Sequence, residues 1–132
     1  MKKFLPIRKE DAIKKVAEYF KTHSWKNVGI VFEKQKDATA FLDEVKKLLN
    51  KEDSEVWNKK SIYNKNKVRI LTDNARSRSR ILSGWTCEKL FIEQKCFEKY
   101  FDDITYAGCI CAQSCLNPDN VENYLIEDGD NN

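Results

Sequence analysis

The chain has 132 residues, of which 41% are apolar and 34% charged, with a formal net charge of +3. That length suits one domain and leaves too little for a second full core, and no uncharged stretch approaches the roughly 20 residues of a bilayer-crossing helix. Charges at Arg8, Lys9, Glu10 and Asp11 follow Met1-Lys2-Lys3 so closely that no secretory apolar segment is read there, and a cytoplasmic location without membrane attachment is expected.

In chain order, residues 10–22 place Ile13, Val16, Ala17 and Phe20 on one side of a helix, ending near Thr22-His23-Ser24. Val28 to Phe32 is an uncharged, Val/Ile-rich run whose continuity predicts a strand buried on both faces. Ala38, Phe41, Leu42, Val45, Leu48 and Leu49 predict a helix over 37–49. Residues 51–65 are polar, with Val56, Trp57, Ile62 and Tyr63 pointing either to a folded excursion or to a short edge hairpin. Val68 to Thr72 and Lys89 to Ile92 read as strands, and Cys96, Phe97, Tyr100 and Phe101 as a short amphipathic helix. Ile104 to Cys111 is a further strand candidate, and Val121, Tyr124, Leu125 and Ile126 are expected to dock one final turn. The expected fold is α/β: a small, mostly parallel sheet flanked by helices, with room for an antiparallel edge strand. One domain over 1–127 and a frayed acidic tail over 128–132 complete it.

Charge is distributed unevenly. Residues 1–80 carry 21 Lys/Arg against 11 Asp/Glu, whereas residues 81–132 carry 3 against 10. The basic part could steer towards nucleic acid or an acidic protein, and the acidic part would weaken indiscriminate polyanion binding. Both sets could equally serve only solubility.

Helix 10–22, strand 28–32, helix 37–49, strand 68–72 and Lys89-Leu90-Phe91-Ile92-Glu93-Gln94 together resemble the ATPase core of viral DNA-packaging terminases and related helicase-like P-loop proteins. In that family the first helix follows a Gly-rich phosphate loop, and a later apolar strand ends in Asp-Glu. The resemblance covers about residues 10–110 and implies a P-loop NTPase-like fold. Here Leu5-Pro6-Ile7-Arg8-Lys9-Glu10 stands where the loop is expected, and Gly29, Gly84, Gly108 and Gly129 form no G-x-x-x-x-G-K-[ST] array. The Walker A loop is therefore missing, and with it the glycine backbone that surrounds phosphates. Glu93 could take the magnesium-orienting position that the resemblance implies. Gln94 stands where a carboxylate would activate water and is a poor proton acceptor. The alternative is that Glu93 and Gln94 merely end a buried strand at the surface. An enzyme is not expected, and no cofactor is implied.

Arg76-Ser77-Arg78-Ser79-Arg80 can present guanidinium forks to phosphates or carboxylates, or can be a solvated connector. Trp25, Trp57 and Trp85 lie among basic residues and could stack on bases or anchor a protein contact, with partial burial against the domain as the plainer expectation. Cys109, Cys111 and Cys115, with Cys87 or Cys96, could hold zinc, but the spacing lacks paired C-x-x-C clamps and no metal site is assigned. Five cysteines cannot all pair as disulfides. His23, the sole histidine, fits a helix-terminal role better than a hydrolytic one.

The expected function is that of a non-catalytic viral or mobile-element accessory protein. Its partner is macromolecular, a protein by first preference, met through Arg76, Arg78, Arg80 and Trp85. Occlusion of a host nucleic-acid enzyme or defence complex is one version. Direct DNA or RNA binding is the alternative within the binding class, and a divergent ATPase completed by another subunit is the alternative within the enzyme class.

Overall fold

The computed structural model describes residues 4–74, 89–100 and 122–127. Their elements are β1 (Phe4–Ile7), α1 (Lys9–Thr22), β2 (Lys26–Phe32), α2 (Gln35–Lys46), a 3-10 turn (Lys51–Asp53), β3 (Ser54–Trp57), β4 (Ser61–Asn64), β5 (Val68–Asn74), β6 (Lys89–Glu93), α3 (Gln94–Tyr100) and β7 (Glu122–Ile126). The strand candidate over 104–111, the Arg76 to Arg80 segment, Trp85, Cys87, Cys109, Cys111, Cys115 and the tail over 128–132 lie outside the described residues.

Among the described residues the strands form one sheet in the order β1-β7-β6-β2-β5-β4-β3. β1, β7, β6, β2 and β5 run parallel to their neighbours, while β4 and β3 pair antiparallel at one end. The mostly parallel α/β architecture expected from the sequence is therefore present. The polar 51–65 region is a hairpin, held in register by Trp57 opposite Ile62 and Val56 opposite Tyr63. Asn58 makes its turn: Oδ1 accepts from the backbone N–H groups of Lys60 and Ser61 at 3.1 and 2.9 Å. An Asn side chain that substitutes for a backbone acceptor is what lets so polar a segment reverse direction.

Helices α1 and α2 cover one face. Val16, Ala17 and Phe20 from α1 meet Ala38, Phe41, Leu42 and Val45 from α2 over Val28, Ile30, Val68, Ile70 and Phe91 of the strands. Strand alternation sends the intervening residues to the other face, where Val31, Leu90 and Ile92 are fully buried and α3 contributes the buried Cys96. β2 lies between β6 and β5 with both faces covered, which explains its continuous apolar run from Val28 to Phe32. No helix among the described residues is long and apolar enough to cross a membrane.

Three departures from the sequence expectations have physical causes. The final segment is a strand, not a docked turn: β7 inserts between β1 and β6, pairing Tyr124 with Leu5 and Phe91. β1 is an edge strand of four residues containing Pro6, too short for a periodicity signal, and Pro is tolerated at an edge. Helix α2 stops at Lys46 although Leu48 and Leu49 continue its spacing. Their N–H groups bond the carbonyls of Val45 and Lys46 at 3.0 Å in a tighter turn, after which Leu49 packs against the core while Leu48 is left exposed.

Candidate functional site

The parallel strands give the sheet a carboxyl edge, where α/β folds present their ligand-binding groups. Register sets the edge: Ile7 of β1 is level with Ile126 of β7, which is level with Glu93 of β6. β2 ends beside them at Phe32, followed by Glu33, and β5 ends at Asn74, level with Phe32. This edge therefore collects Arg8, Glu33, Asp73, Asn74 and Glu93 with the start of α2.

Its hydrogen bonds tie the strand ends to each other. Oε1 of Glu93 accepts from the backbone N–H of Glu33 at 3.1 Å. Lys99 of α3 reaches back to Oε2 of Glu33 at 3.0 Å. Gln35, in the first turn of α2, donates through Nε2 to Oγ1 of Thr72 at 3.0 Å and accepts through Oε1 from Nδ2 of Asn74 at 3.0 Å. The Gln35 amide thus locks α2 to the end of β5. Asp73 is buried, and its Oδ1 accepts from the N–H of Asn74 at 2.8 Å. Burial raises the Cys96 thiol to about 12, and the carboxylates of Glu93, Glu33 and Asp73 add to the shift. A thiol so disposed is neutral and inert at physiological pH.

At the other end of this edge the strand-to-helix transition is abrupt. β1 ends at Ile7 and α1 begins at Lys9, so Arg8 alone separates them. The carbonyl of Arg8 already accepts the first helical bond, from the N–H of Ala12 at 2.9 Å. The neighbouring strand seals the same point, because the N–H of Glu127 donates to the carbonyl of Ile7 at 2.8 Å. Glu10 and Asp11 occupy the first turn of α1. A helix N-terminus attracts phosphate through its free N–H groups and dipole. Two carboxylates in that turn oppose such an anion.

Of the residues singled out from sequence, Glu93 stands at the carboxyl end of β6 as expected, partly buried and bonded to Glu33. Gln94 begins α3, and its Nε2 lies 3.4 Å from Oε2 of Glu98, one turn on. The side chain is engaged along its own helix. His23 caps the carboxyl end of α1, with its N–H bonded to the Tyr19 carbonyl at 3.0 Å and its ring edge-on to Tyr19. Trp57 packs against the core beneath Lys46, as partial burial predicts. Trp25 does not: it is 75% exposed. Glu33, Gln35 and Asp73 were not singled out from sequence. The available signal was their position immediately after the apolar strand runs. No group of three or more His, Cys, Asp or Glu arranged to hold a metal ion occurs among the described residues.

Solved structures share this architecture. Three crystal structures of the large terminase from a thermophilic bacteriophage align with the chain. Crystal form 2 gives a TM-score of 0.62 at 13% identity, covering 96% of this chain and 34% of the terminase. Crystal form 3 gives 0.59 at 13% identity in a complex with ADP, covering 94% and 32%, and a further structure of crystal form 3 gives 0.57 at 12% identity, again covering 94% and 32%. The fold resembles the part of the large terminase to which it aligns, and the chain spans about one third of the length of those proteins. No family model and no curated protein matches the sequence.

Proposed function

We propose that the chain is a non-catalytic binding module, built on a terminase-like core whose phosphate-binding loop has been lost. The observation that carries this reading is the single residue, Arg8, between β1 and α1. A Walker A motif places several residues between strand and helix so that consecutive N–H groups can surround the phosphates. One residue cannot make that cradle, and Glu10 and Asp11 repel anions at the start of α1; at the central strand, Glu33 and Lys34 alone separate β2 from α2 and neither is glycine. The Glu93 carboxylate is engaged by the Glu33 backbone, and Gln94 supplies no base.

In this proposal the module is a viral or mobile-element accessory protein that acts by occlusion. Arg76, Arg78 and Arg80, in the connection from β5 to β6, engage acidic groups of a partner protein, and Trp85 supplies apolar contact. The likeness to phage terminases in fold supports the viral origin. A second reading, a divergent ATPase completed by another subunit, draws on one observation: an acidic residue, Glu93, stands at the carboxyl end of β6.

Calorimetric titration of the full chain with Mg–ATP, together with a phosphate-release assay, separates the two. The binding-module reading expects neither heat of binding nor turnover. Hydrolysis that is abolished in Glu93→Gln while the fold is retained would instead establish the ATPase.

A further inference from the structure

We infer that the chain carries a single-stranded nucleic-acid site at the amino edge of the sheet, centred on Trp25 and the turn at residues 64–67. This edge lies opposite Glu93, so the inference does not depend on whether the carboxyl edge binds nucleotide.

The fold brings four chain segments to this edge: the end of α1, the end of α2, the start of β2 and the β4–β5 turn. Next to the turn lies a cleft of about 630 Å³ formed by the end of α1, the residues after α2, the 3-10 turn and the β4–β5 turn; its lining includes Lys21, Lys47, Lys65, Asn50 and Asn66, and Trp25 and Lys67 flank it rather than line it. Asp53 is the acidic residue of that lining, and Lys47 is shared with Glu44 at 2.8 Å. Lys21 and Lys47 also stand at the negative ends of α1 and α2 and offset those helix dipoles. Lys65 and Lys67 lie on a turn and offset no helix dipole. Both are exposed, so they are the cations available to phosphates. Lys67 also lies over the Tyr63 ring, 5.7 Å from its centroid.

The turn that holds them is firmly built. Asn64 is 4% exposed; its Nδ2 donates to the Phe20 carbonyl at 2.6 Å, and its Oδ1 accepts from the N–H groups of Asn66 and Val68, each at 3.0 Å. One buried amide therefore binds the end of α1 to the turn and fixes the backbone that carries Lys65 and Lys67.

Trp25 is the second, independent observation. Its φ is 58°, in the left-handed region that a bulky side chain avoids, and its N–H donates to the carbonyl of Asn66 at 3.0 Å. The backbone is thereby strained to hold an indole that is 75% exposed. Folding gains little from such an arrangement: a glycine would make the same backbone bond without strain, and the ring buries little surface. Strain of this kind is retained where a side chain has a task outside the core. An exposed indole on a fixed backbone, beside exposed lysines, is suited to stacking on an unpaired base while the cations take its phosphates. An acidic polypeptide would pair with the lysines and use the ring as an apolar contact rather than as a stacking face, an outcome that the polyglutamate arm of the test detects. A duplex presents no free base face.

The test uses the full chain and fluorescein-labelled oligo(dT) and oligo(rU) of about 15 nucleotides, with binding read by anisotropy and by tryptophan emission. Both oligonucleotides should bind, and preference between them identifies DNA or RNA as the natural source. With the two phosphates that Lys65 and Lys67 neutralise, affinity should fall about seven-fold between about 50 and 200 mM salt. Trp25→Gly should weaken binding by at least about five-fold and remove the emission quench that stacking produces. Lys65→Ala/Lys67→Ala should weaken it and reduce the log–log salt slope by about 1.4. These three side chains are exposed, so both variants should retain the cooperative thermal transition of the parent chain. The inference is overturned by failure to bind at low salt. It is equally overturned by binding that survives both variants but is lost in Arg76→Ala/Arg78→Ala/Arg80→Ala, or by equal affinity for duplex or polyglutamate without dependence on Trp25.

Discussion

Glu93 and Glu33, sixty residues apart, meet at the carboxyl edge through the backbone of one and the side chain of the other: Oε1 of Glu93 accepts from the Glu33 N–H at 3.1 Å. The carboxylate that resembles a magnesium-orienting acid therefore has a structural task, joining the end of β6 to the residue after β2. Glu93→Ala leaves that N–H without its acceptor in a partly buried setting and should destabilise the chain by about 1–2 kcal/mol. Glu93→Gln keeps an acceptor oxygen and should cost less than about 1 kcal/mol. Urea denaturation of the two variants checks the order; equal losses would mean that the carboxylate charge, not the bond, is what matters.

Asn64 predicts a larger effect. Its amide satisfies one carbonyl and two N–H groups at a buried junction. Asn64→Ala should cost about 2–4 kcal/mol, since several backbone groups lose partners together. Asn64→Asp keeps the acceptor but turns a carboxylate oxygen towards the Phe20 carbonyl, and should be at least as damaging. Denaturant midpoints of the two variants, measured with equal slopes, test the assignment.

The core follows ordinary packing rules, and α2 contributes Phe41, Leu42 and Val45 to it. Phe41 is fully buried and lies 5.6 Å, ring centroid to centroid, from Phe32 at the end of β2. Phe41→Ala should cost about 3–5 kcal/mol through lost transfer energy and an incompletely collapsed cavity. Because Phe32 immediately precedes Glu33, that loss should also loosen the carboxyl edge, detectable as faster amide exchange at Glu33.

Much of this was legible in the sequence, and the limits are physical. Helices α1 and α2 and strands β2, β5 and β6 show in the spacing of Val16, Phe20, Phe41, Val45, Ile30, Ile70 and Phe91, because each buries a continuous stripe or run. β1 and β7 depend on each other: Leu5 pairs with Tyr124 across most of the chain length, and neither segment has a pattern of its own strong enough to announce a strand. Tyr124, Leu125 and Ile126, set among Asn and acidic residues, resemble a helical turn until a partner on each side is known. Glu93 could be found because it ends an apolar run. Asn64 could not, since Asn-Lys-Asn-Lys between apolar segments signals a turn but not a buried amide that bonds a helix end more than forty residues earlier. Trp25 gave no warning of its backbone, because a positive φ at tryptophan runs against local preference and is imposed by the bond to Asn66.

Cys96 makes a prediction in pH. Burial, reinforced by Glu93, Glu33 and Asp73, raises its thiol from 9.0 to about 12. The folded chain thus holds this proton more tightly than the unfolded chain does. The stabilisation is fully present below pH 9 and is lost progressively as pH rises from about 9 towards 12. Cys96→Ala should flatten the Cys96 part of this decline. At neutral pH, native-state alkylation of Cys96, followed by mass spectrometry of the peptide containing it, should be limited by unfolding and accelerate with denaturant. Rapid modification without denaturant would show that the thiol is accessible and ionised.

Trp25 offers the sharpest stability test because the usual direction is reversed. Replacing a large residue by glycine normally destabilises, since the unfolded chain gains freedom worth about 0.5–1 kcal/mol. At φ 58° the folded state of Trp25 carries strain, of about 1–3 kcal/mol for such backbone regions, and glycine removes it. The indole is 75% exposed, so little burial is forfeited in exchange. Trp25→Gly should therefore raise stability by about 1 kcal/mol, seen as a higher denaturant midpoint with an unchanged slope. Trp25→Ala, which retains a Cβ at the same φ, should gain less than Trp25→Gly. If both variants lose stability equally, the ring rather than the backbone sets the energy at this position, and the strain argument for a task outside the core fails with it.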